Sequence, residues 1–287
     1  MMSDPLISVL IPAYNRADTI VRCINSAQAS RYERLEIIVS DNGSTDGTAD
    51  MVAGLAETDP RIELIRHRTN QGPLPNWKAC LDRASGDLIH WLWSDDWIEP
   101  CFYATLIDGM KKKRAMVGFS AVRVVSQAEG WSYITHSFPP LDREKALKEG
   151  LNGRVFPVSP AAALLPIASV RRYFHDNIPV RNGLDCNRRA IGCDALMILG
   201  CIHDAETVFN HPEPLVNFSS HAGSITVGTD HDLLLAHYAW ARVWWARTVG
   251  LPRRHCLSDL LFLLKNRRYL SAISGLLFRS PRKSHAC

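Results

Sequence analysis

Short apolar segments alternate with amphipathic segments between residues 6 and 96, and this alternation limits the folds open to the chain. The apolar segments are LISVLIPA from Leu6, LEIIVS from Leu35, RIELIR from Arg61 and DLIHWLW from Asp87. Runs with so little polar alternation are typical of strands buried on both faces of a parallel sheet. Two intervening segments carry apolar residues at helical spacing, namely Ile20, Val21, Ile24, Ala27 and Trp77, Cys80, Leu81, Ala84. The pattern predicts right-handed βαβ units in a doubly wound, mainly parallel α/β sheet with flanking helices.

The alternation is looser after Pro100. We predict a helix over 102–113, strands over 116–125 and 131–137, a short helix and loop over 142–159, and a buried element over 161–174. A helix is expected to start at Gly192–Met197, with Asp194 in its first turn. Pro212 to Phe218 is predicted to be an edge strand, because proline cannot donate to a sheet ladder. The chain from Asp230 to its end is expected to be helical.

Composition is that of an ordinary enzyme. The 287 residues are 46% hydrophobic and 22% charged, which is enough to bury a sizeable core. The N-terminus lacks the basic region of a signal peptide, and no apolar run approaches the roughly 20 residues that span a bilayer. The eight cysteines form no CxxC pair, as expected of reduced thiols. We therefore expect a cytoplasmic protein.

Three carboxylates follow two of the predicted strands. Asp41 follows the second strand, and Asp95 and Asp96 follow the fourth. Because parallel strands end at the same edge, these side chains are expected to converge there. Adjacent carboxylates favour a divalent cation, Mn²⁺ or Mg²⁺, shared with a phosphate ligand. A solvated turn before a helix is the alternative explanation of Asp95 and Asp96.

Two common phosphate-binding motifs are absent. The first βα turn has no G-x-G-x-x-G, and the chain has no G-x-x-x-x-G-K-[ST] loop. A P-loop ATPase is therefore excluded, and the sequence argues against a dinucleotide-binding Rossmann enzyme. A nucleotide-diphosphate site must hold its base and phosphates by other means.

Four motifs in this order and at these spacings resemble the family 2 glycosyltransferases of the GT-A fold, over roughly residues 6–225. They are ISVLIPAYNR at 7–16, IIVSDNGSTDGT at 37–48, N-x-G-x-x-x-N-W at 70–77 and ASGDLIHWLWSDD at 84–96. The family most often has an acid where this chain has Asn42. The resemblance implies a polysaccharide or lipid-linked glycan biosynthesis enzyme.

The resemblance also implies roles for individual residues. Those implied to bind the nucleotide of a UDP- or dTDP-sugar donor are Pro12, Ala13, Tyr14, Asn15, Asp41, Asn76, Ser94 and Asp95. Tyr14 would lie against the base, and Asp41 would accept a hydrogen bond from a pyrimidine. Asp96 would be the direct metal ligand, in an S-D-D variant of the D-x-D motif, and His221 a third ligand or phosphate donor. Ordinary packing, loop capping and a surface histidine are the structural alternatives.

An inverting transfer needs a carboxylate that takes the proton of the acceptor hydroxyl. The resemblance places this base about a hundred residues after the metal motif, near the start of a helix. Asp194 fits best and Asp185 is its competitor. The alternative for Asp194 is a first-turn acid stabilised by the helix dipole.

The C-terminal segment is basic. From Leu251 onward the sequence has eight Lys or Arg residues and one acidic residue, Asp259. Leucines alternate with the basic residues. This pattern predicts either a peripheral contact with an anionic membrane or a helix that packs its leucines on the main domain. Nucleic acid is not an expected partner, because aromatics are not interleaved at a stacking spacing.

The resulting hypothesis is a metal-dependent, inverting glycosyltransferase that uses a nucleotide-diphosphate sugar and a glycan or lipid-linked acceptor. Residues 1–225 would form the GT-A domain, with 1–100 binding the donor and 101–225 the acceptor, and 226–287 a helical extension. The protein would be cytoplasmic, with a peripheral position at the inner face of the cell membrane as an option. A non-catalytic nucleotide-sugar-binding module and a sugar-nucleotide pyrophosphorylase are the alternatives.

Overall fold

The structure is a computed structural model that describes residues 4–126, 129–135, 141–152, 159–181, 183–221 and 229–266, without the side chains of Leu141 and Arg253. The strands are β1 (Ile7–Ala13), β2 (Leu35–Asp41), β3 (Ile62–Arg66), β4 (Leu88–Trp91), β5 (Trp97–Ile98), β6 (Val117–Ser126), β7 (Trp131–Ile134), β8 (Leu141–Asp142), β9 (Ala163–Pro166) and β10 (Thr207–Ser219). The helices are α1 (Ile20–Gln28), α2 (Thr48–Thr58), α3 (Pro73–Arg83), α4 (Phe102–Lys113), α5 (Arg143–Leu151), α6 (Ile167–Tyr173), α7 (Cys186–Arg189), α8 (Cys193–Asp204), α9 (His231–Thr248) and α10 (Leu257–Lys265). Two 3₁₀ turns span Pro160–Ala162 and Arg253–Cys256.

The strands form one mixed sheet in the order β3-β2-β1-β4-β9-β6-β10-β5. Strands β1 to β4 pair in parallel, as do β6 and β10, whereas β9 runs antiparallel to both β4 and β6. All seven residues of β1 are buried, as expected of a central strand covered by helices on both faces. The predicted α/β sheet with flanking helices is confirmed, and its parallel half carries the motifs.

Helix α1 follows its predicted span but buries a slightly different face. Its buried residues are Ile20, Cys23, Ile24 and Ala27. Val21, predicted to belong to this face, is 37% exposed. The i, i+3, i+4, i+7 spacing therefore selects Cys23, and Val21 lies one residue off the buried stripe.

The prediction that Pro212 to Phe218 is an edge strand fits only part of the segment. Strand β10 begins earlier, at Thr207, and pairs with β6 on one side. On the other side β8 pairs only with Thr207 and Val208, and β5 only with Val216 and Asn217. Among the described strands, Pro212 and Pro214 therefore lie at an open edge, where a missing N–H donor is tolerated, and the register with β6 shifts there.

The C-terminal helices share a hydrophobic core with the sheet. Trp240 and Trp245 of α9 belong to the same buried cluster as Leu10 of β1 and Trp77 of α3. The predicted boundary at 225 lies outside the described residues, which omit 222–228. Within the described residues, no helix is both long and apolar enough to cross a bilayer.

Candidate active site

A cleft of about 470 Å³ opens where β1 and β4 end. Its lining includes Pro12, Ala13, Tyr14, Asn76, Ser94 and Asp95. It also includes Arg188, Arg189, Ile191, Asp194, Leu234 and Tyr238, from α7, α8 and α9 and the turn between α7 and α8. The cleft thus brings most of the predicted nucleotide-binding residues together with the predicted base.

Asn15 does not line the cleft. It connects the loop that follows β1 with the loop that follows β2. Its backbone adopts a left-handed conformation with φ of 50°, and its N–H donates to Ser44 Oγ at 2.8 Å. Its Oδ1 accepts from the N–H of Thr45 at 3.0 Å. Asparagine tolerates this conformation better than most residues, so Asn15 fixes the loop that presents Tyr14.

Asp41 is buried at the end of β2, and its neighbour Asn42 lines the cleft. Asp41 Oδ2 accepts from the N–H of Ser44 at 3.0 Å. Its Oδ1 is buried and has no hydrogen-bond partner among the described residues. A buried acceptor without a donor is costly, which makes this oxygen a candidate for a ligand N–H.

Asn76 and two tryptophans form the floor beside Asp41. The Asn76 Oδ1 accepts from Ser40 Oγ at 2.7 Å, which holds the amide against β2. The rings of Trp77 and Trp93 lie 4.8 Å apart between centroids, and both line the cleft. This surface offers an apolar wall for a planar base or a sugar ring.

Asp95 and Asp96 lie in different environments. Asp95 lines the cleft, and its Oδ2 is 2.7 Å from His221 Nε2 and 3.9 Å from Arg16 Nε. Asp96 is 1% exposed, and its Oδ1 accepts from the N–H of Ser219 at 2.9 Å. Burial and the negative charge of Asp95 raise the pKa of the Asp96 carboxyl well above its usual range.

Asp95 therefore lines the cleft and Asp96 does not. The cause is the pairing of β5 with β10, in which Trp97 lies opposite Asn217. This pairing draws Asp96 inward to the backbone of Ser219. Asp96 Oδ2 is buried and has no hydrogen-bond partner among the described residues, so the implied role of Asp96 as the direct metal ligand stays a prediction.

Asp95 and His221, together with the unpartnered Oδ2 of Asp96, are candidates to hold a divalent cation. A carboxylate oxygen and an imidazole nitrogen are ligands that Mn²⁺ accepts, and Mg²⁺ is held by one or two carboxylates together with substrate phosphates. In the described part of the chain, no group of three or more His, Cys, Asp or Glu side chains is placed to hold a metal ion. The donor set fits a cation that takes its remaining ligands from diphosphate and water.

Asp194 occupies the first turn of α8. Its Oδ2 accepts from the Tyr238 hydroxyl at 3.1 Å, and its Oδ1 is buried without a partner among the described residues. Burial raises the pKa of the Asp194 carboxyl. The preceding Gly192 has φ of 89°, and a Cβ there would lie 2.7 Å from Ala241 Cβ, so glycine is required for α8 to approach α9.

Asp185, the competing acid, has a structural role. Its Oδ1 accepts from the N–H groups of Asn187 and Arg188, each at 3.1 Å, and so caps α7. It does not line the cleft that holds Asp194.

Two arginines and a tyrosine are among the cleft residues that sequence reasoning missed. Arg188 and Arg189 lie shortly before Asp194 in the sequence, so this basic pair could have been predicted to lie near the site. Tyr238 lies 44 residues after Asp194, in the helix assigned to an extension, and no local pattern connects the two.

Known proteins resemble parts of this sequence. An uncharacterized glycosyltransferase of Haemophilus influenzae is 37% identical over 97 residues, covering 34% of this chain and 39% of that protein. The GalNAc(5)-diNAcBac-PP-undecaprenol beta-1,3-glucosyltransferase of Campylobacter jejuni is 39% identical over 93 residues, covering 32% and 30%. The match to the first of these relatives thus spans well under half of its length.

Solved structures share the fold. TarS residues 1–349 of S. aureus, in complex with UDP-GlcNAc, superposes with a TM-score of 0.66 at 16% identity, covering 96% of this chain and 76% of that one. The mannosyltransferase PcManGT of Pyrobaculum calidifontis, in complex with GDP-Man and Mn²⁺, gives 0.59 at 15% identity, covering 98% and 77%. The sequence of residues 8–174, more than half of the chain, matches the profile described as Glycosyl transferase family 2. With its GT-A-like sheet and its four motifs, this chain belongs to that family.

Proposed function

We propose that this chain is an inverting, metal-dependent glycosyltransferase that moves a sugar from a nucleotide-diphosphate donor to a hydroxyl of a glycan or lipid-linked saccharide. One observation carries the proposal: Asp95, whose Oδ2 lies 2.7 Å from His221 Nε2, lines the same cleft as Asp194. One cleft can thus hold a donor diphosphate near Asp95 and an acceptor hydroxyl near Asp194. The Mn²⁺ bound to PcManGT supports the use of a divalent cation in proteins of this fold.

Asp194 is the proposed base. The ionised carboxylate takes the proton from the acceptor hydroxyl while that oxygen attacks the anomeric carbon and the bond to the diphosphate breaks. The nucleoside diphosphate leaves with the bonding electron pair, and a single in-line displacement inverts the anomeric configuration. A raised pKa makes Asp194 a stronger base than an exposed aspartate.

Asp95 and His221 are the proposed holders of the cation. When bound, a divalent cation neutralises the charge that develops on the leaving diphosphate. Asp96 accepts a hydrogen bond from the N–H of Ser219 and so fixes the backbone two residues before His221.

The donor is proposed to be a UDP- or dTDP-sugar. The unpartnered Asp41 Oδ1 can accept the N–H of a uracil or thymine ring, and Tyr14, which is 42% exposed in the cleft, can cover the base. UDP-GlcNAc in TarS supports this choice, whereas GDP-Man in PcManGT is the competing type of donor.

The proposal is tested with Asp194→Asn. The donor is first selected by thermal shift from a panel of UDP-, dTDP- and GDP-sugars, with and without Mn²⁺. The rate at which the enzyme hydrolyses the selected donor is then measured. We expect Asp194→Asn to slow hydrolysis by about 10²–10⁴-fold, the usual contribution of a general base, with UDP affinity nearly unchanged.

Asp185→Asn is the matched control, because asparagine also caps helices and this side chain lies outside the cleft. A rate near wild type for Asp194→Asn would remove Asp194 as the base. A wild-type chain that binds the selected donor but never hydrolyses or transfers it would be a binding module. Release of a nucleoside triphosphate from donor and pyrophosphate would identify a pyrophosphorylase.

A peripheral contact with an anionic membrane is a further part of the proposal. Helix α10 exposes Leu257, Leu261 and Leu264 by 55%, 47% and 36%. These leucines lie at i, i+4 and i+7, so they form one apolar stripe next to the basic C-terminal sequence. The basic residues beyond 266 lie outside the described residues.

A further inference from the structure

We propose that Arg188 and Arg189 form a subsite for an oxyanion, a phosphate or a carboxylate, that the acceptor carries near its reacting hydroxyl. This inference rests on the proposed function, since it takes Asp194 as the base that marks the acceptor side of the cleft.

Both guanidinium groups are available to a ligand. Arg188 and Arg189 line the cleft, and both residues are exposed. Within the described residues, neither forms an ion pair with a carboxylate, although the cleft itself contains Asp95 and Asp194. Arg189 Nη1 is 3.4 Å from Thr229 Oγ1, a weak contact that leaves its remaining donors to a ligand.

The backbone under the two arginines is held firmly. Asp185 caps α7 through the N–H groups of Asn187 and Arg188. The Asn187 side chain bonds both the N–H and the C=O of Ile178, at 3.1 and 2.8 Å. Because this backbone is already ordered, binding a ligand here adds no cost of loop ordering.

The turn after α7 places the two arginines close to Asp194 along the chain. Ala190 has φ of 57° and ends α7 as a left-handed C-cap, with its N–H bonded to the carbonyl of Asn187. Only residues 190–192 separate α7 from α8, the helix that bears Asp194.

Position in the cleft favours the acceptor over the donor. In an in-line displacement the acceptor hydroxyl and the leaving diphosphate lie on opposite sides of the anomeric carbon. Asp95 and His221 are proposed to hold the diphosphate, whereas α7 directly precedes α8, which bears Asp194. Paired guanidiniums match the planar or forked oxygens of carboxylate and phosphate.

In the test, inorganic phosphate is titrated into the full chain saturated with UDP, and its binding is measured by calorimetry. We expect saturable phosphate binding that weakens at least tenfold in Arg188→Ala/Arg189→Ala. UDP affinity should change less than twofold. Arg188→Lys/Arg189→Lys should retain part of the affinity, because charge remains while the forked geometry is lost.

Arg31→Ala, an exposed arginine outside the cleft, is the control and should behave as wild type. Glucuronate, titrated against glucose in the same way, reports whether a carboxylate also binds. Equal phosphate affinity in the double alanine variant, or no phosphate binding by the wild type, would overturn the subsite. A tenfold loss of UDP affinity with uridine affinity unchanged would also overturn it, since the arginines would then hold the donor diphosphate.

These outcomes are separable from a failure of the proposed function. Phosphate binding can be measured without turnover, so it tests the arginines independently of the activity of Asp194→Asn. Activity in Asp194→Asn would reject Asp194 as the base, whereas phosphate affinity in the arginine variants tests the subsite alone.

Discussion

At the scale of single residues, two adjacent aspartates have distinct environments that their sequence does not distinguish. Asp95 lines the cleft beside His221, and Asp96 is buried against Ser219. The motif S-D-D predicts that a cation site lies here, but the pairing of β5 with β10 decides which carboxylate faces it. That pairing joins segments more than a hundred residues apart and leaves no local signal.

We predict that Asp95→Asn weakens Mn²⁺ binding in the presence of UDP by about tenfold or more, because it removes a proposed direct ligand. Asp96→Asn should have a smaller effect, since an amide oxygen can still accept from Ser219. Calorimetric titration of Mn²⁺ measures both. If Asp96→Asn loses as much affinity as Asp95→Asn, the metal ligand implied by the family resemblance is correct and the proposed one is wrong.

A second prediction concerns Tyr238 and the pH dependence of donor hydrolysis. The reaction requires ionised Asp194, so the rate falls as pH falls through its pKa, which burial raises above the usual range. The Tyr238 hydroxyl donates to the carboxylate and holds this pKa down. Tyr238→Phe should therefore move the acidic limb of the rate profile to higher pH, with a smaller effect on the rate at the plateau.

Tyr133→Phe is the control, because Tyr133 is 55% exposed and lies outside the cleft. Its profile should match that of the wild type. An acidic limb unchanged in Tyr238→Phe would show that this hydroxyl does not influence the base.

At the scale of elements, regular patterns were predictive and long-range pairing was not. Strands β1, β2 and β4 follow apolar runs that are almost wholly buried, and β3 follows a shorter run at the edge of the sheet. The prolines of β10 indicated an edge strand, but its start at Thr207 and its pairing with β5, β6 and β8 had no local signal. The role of α9 in the cleft was also missed, because it depends on the packing of α9 against α8.

Helix packing provides a prediction on stability. A Cβ at Gly200 of α8 would lie 2.1 Å from Cγ of Tyr173, whose ring is held by a hydrogen bond from its hydroxyl to Asp204 Oδ1 at 2.9 Å. Gly200→Ala must separate α6 from α8, and we expect it to lower the free energy of unfolding by about 1–3 kcal/mol.

The matched control is Gly54→Ala in α2, where an added Cβ meets no atom within 4 Å. It should raise stability by up to about 1 kcal/mol, because alanine is the better helix former. Urea unfolding measures both variants. Equal stability of Gly200→Ala and wild type would mean that α6 and α8 are not so closely packed.

At the scale of the whole molecule, the cleft is assembled from distant parts of the chain. His221 and Asp95 are 126 residues apart, and Tyr238 comes from a helix beyond the segment that matches the family profile. Motifs predicted the cleft residues at the ends of β1 and β4, because these residues follow apolar runs directly. The cleft residues of α8 and α9 depend on a core that these helices share with the sheet, which no single segment encodes.

The exposed stripe on α10 leads to a prediction about membranes. Asp259 pairs with Arg242 at 2.7 Å and Leu263 is buried, so one face of α10 is fixed to the molecule. The stripe of Leu257, Leu261 and Leu264 is left facing outward. We expect the full chain to float with phosphatidylglycerol vesicles at low salt, and to float less at high salt because ions screen the basic segment.

The triple variant Leu257→Gln/Leu261→Gln/Leu264→Gln should reduce co-flotation about tenfold or more, since each inserted methylene contributes about 0.8 kcal/mol. Met51→Gln/Met116→Gln changes two exposed apolar side chains elsewhere and should float like wild type. Absence of co-flotation at low salt would end the membrane proposal. Flotation that persists in the triple leucine variant would assign the contact to the basic sequence alone, because charge attraction needs no inserted side chain.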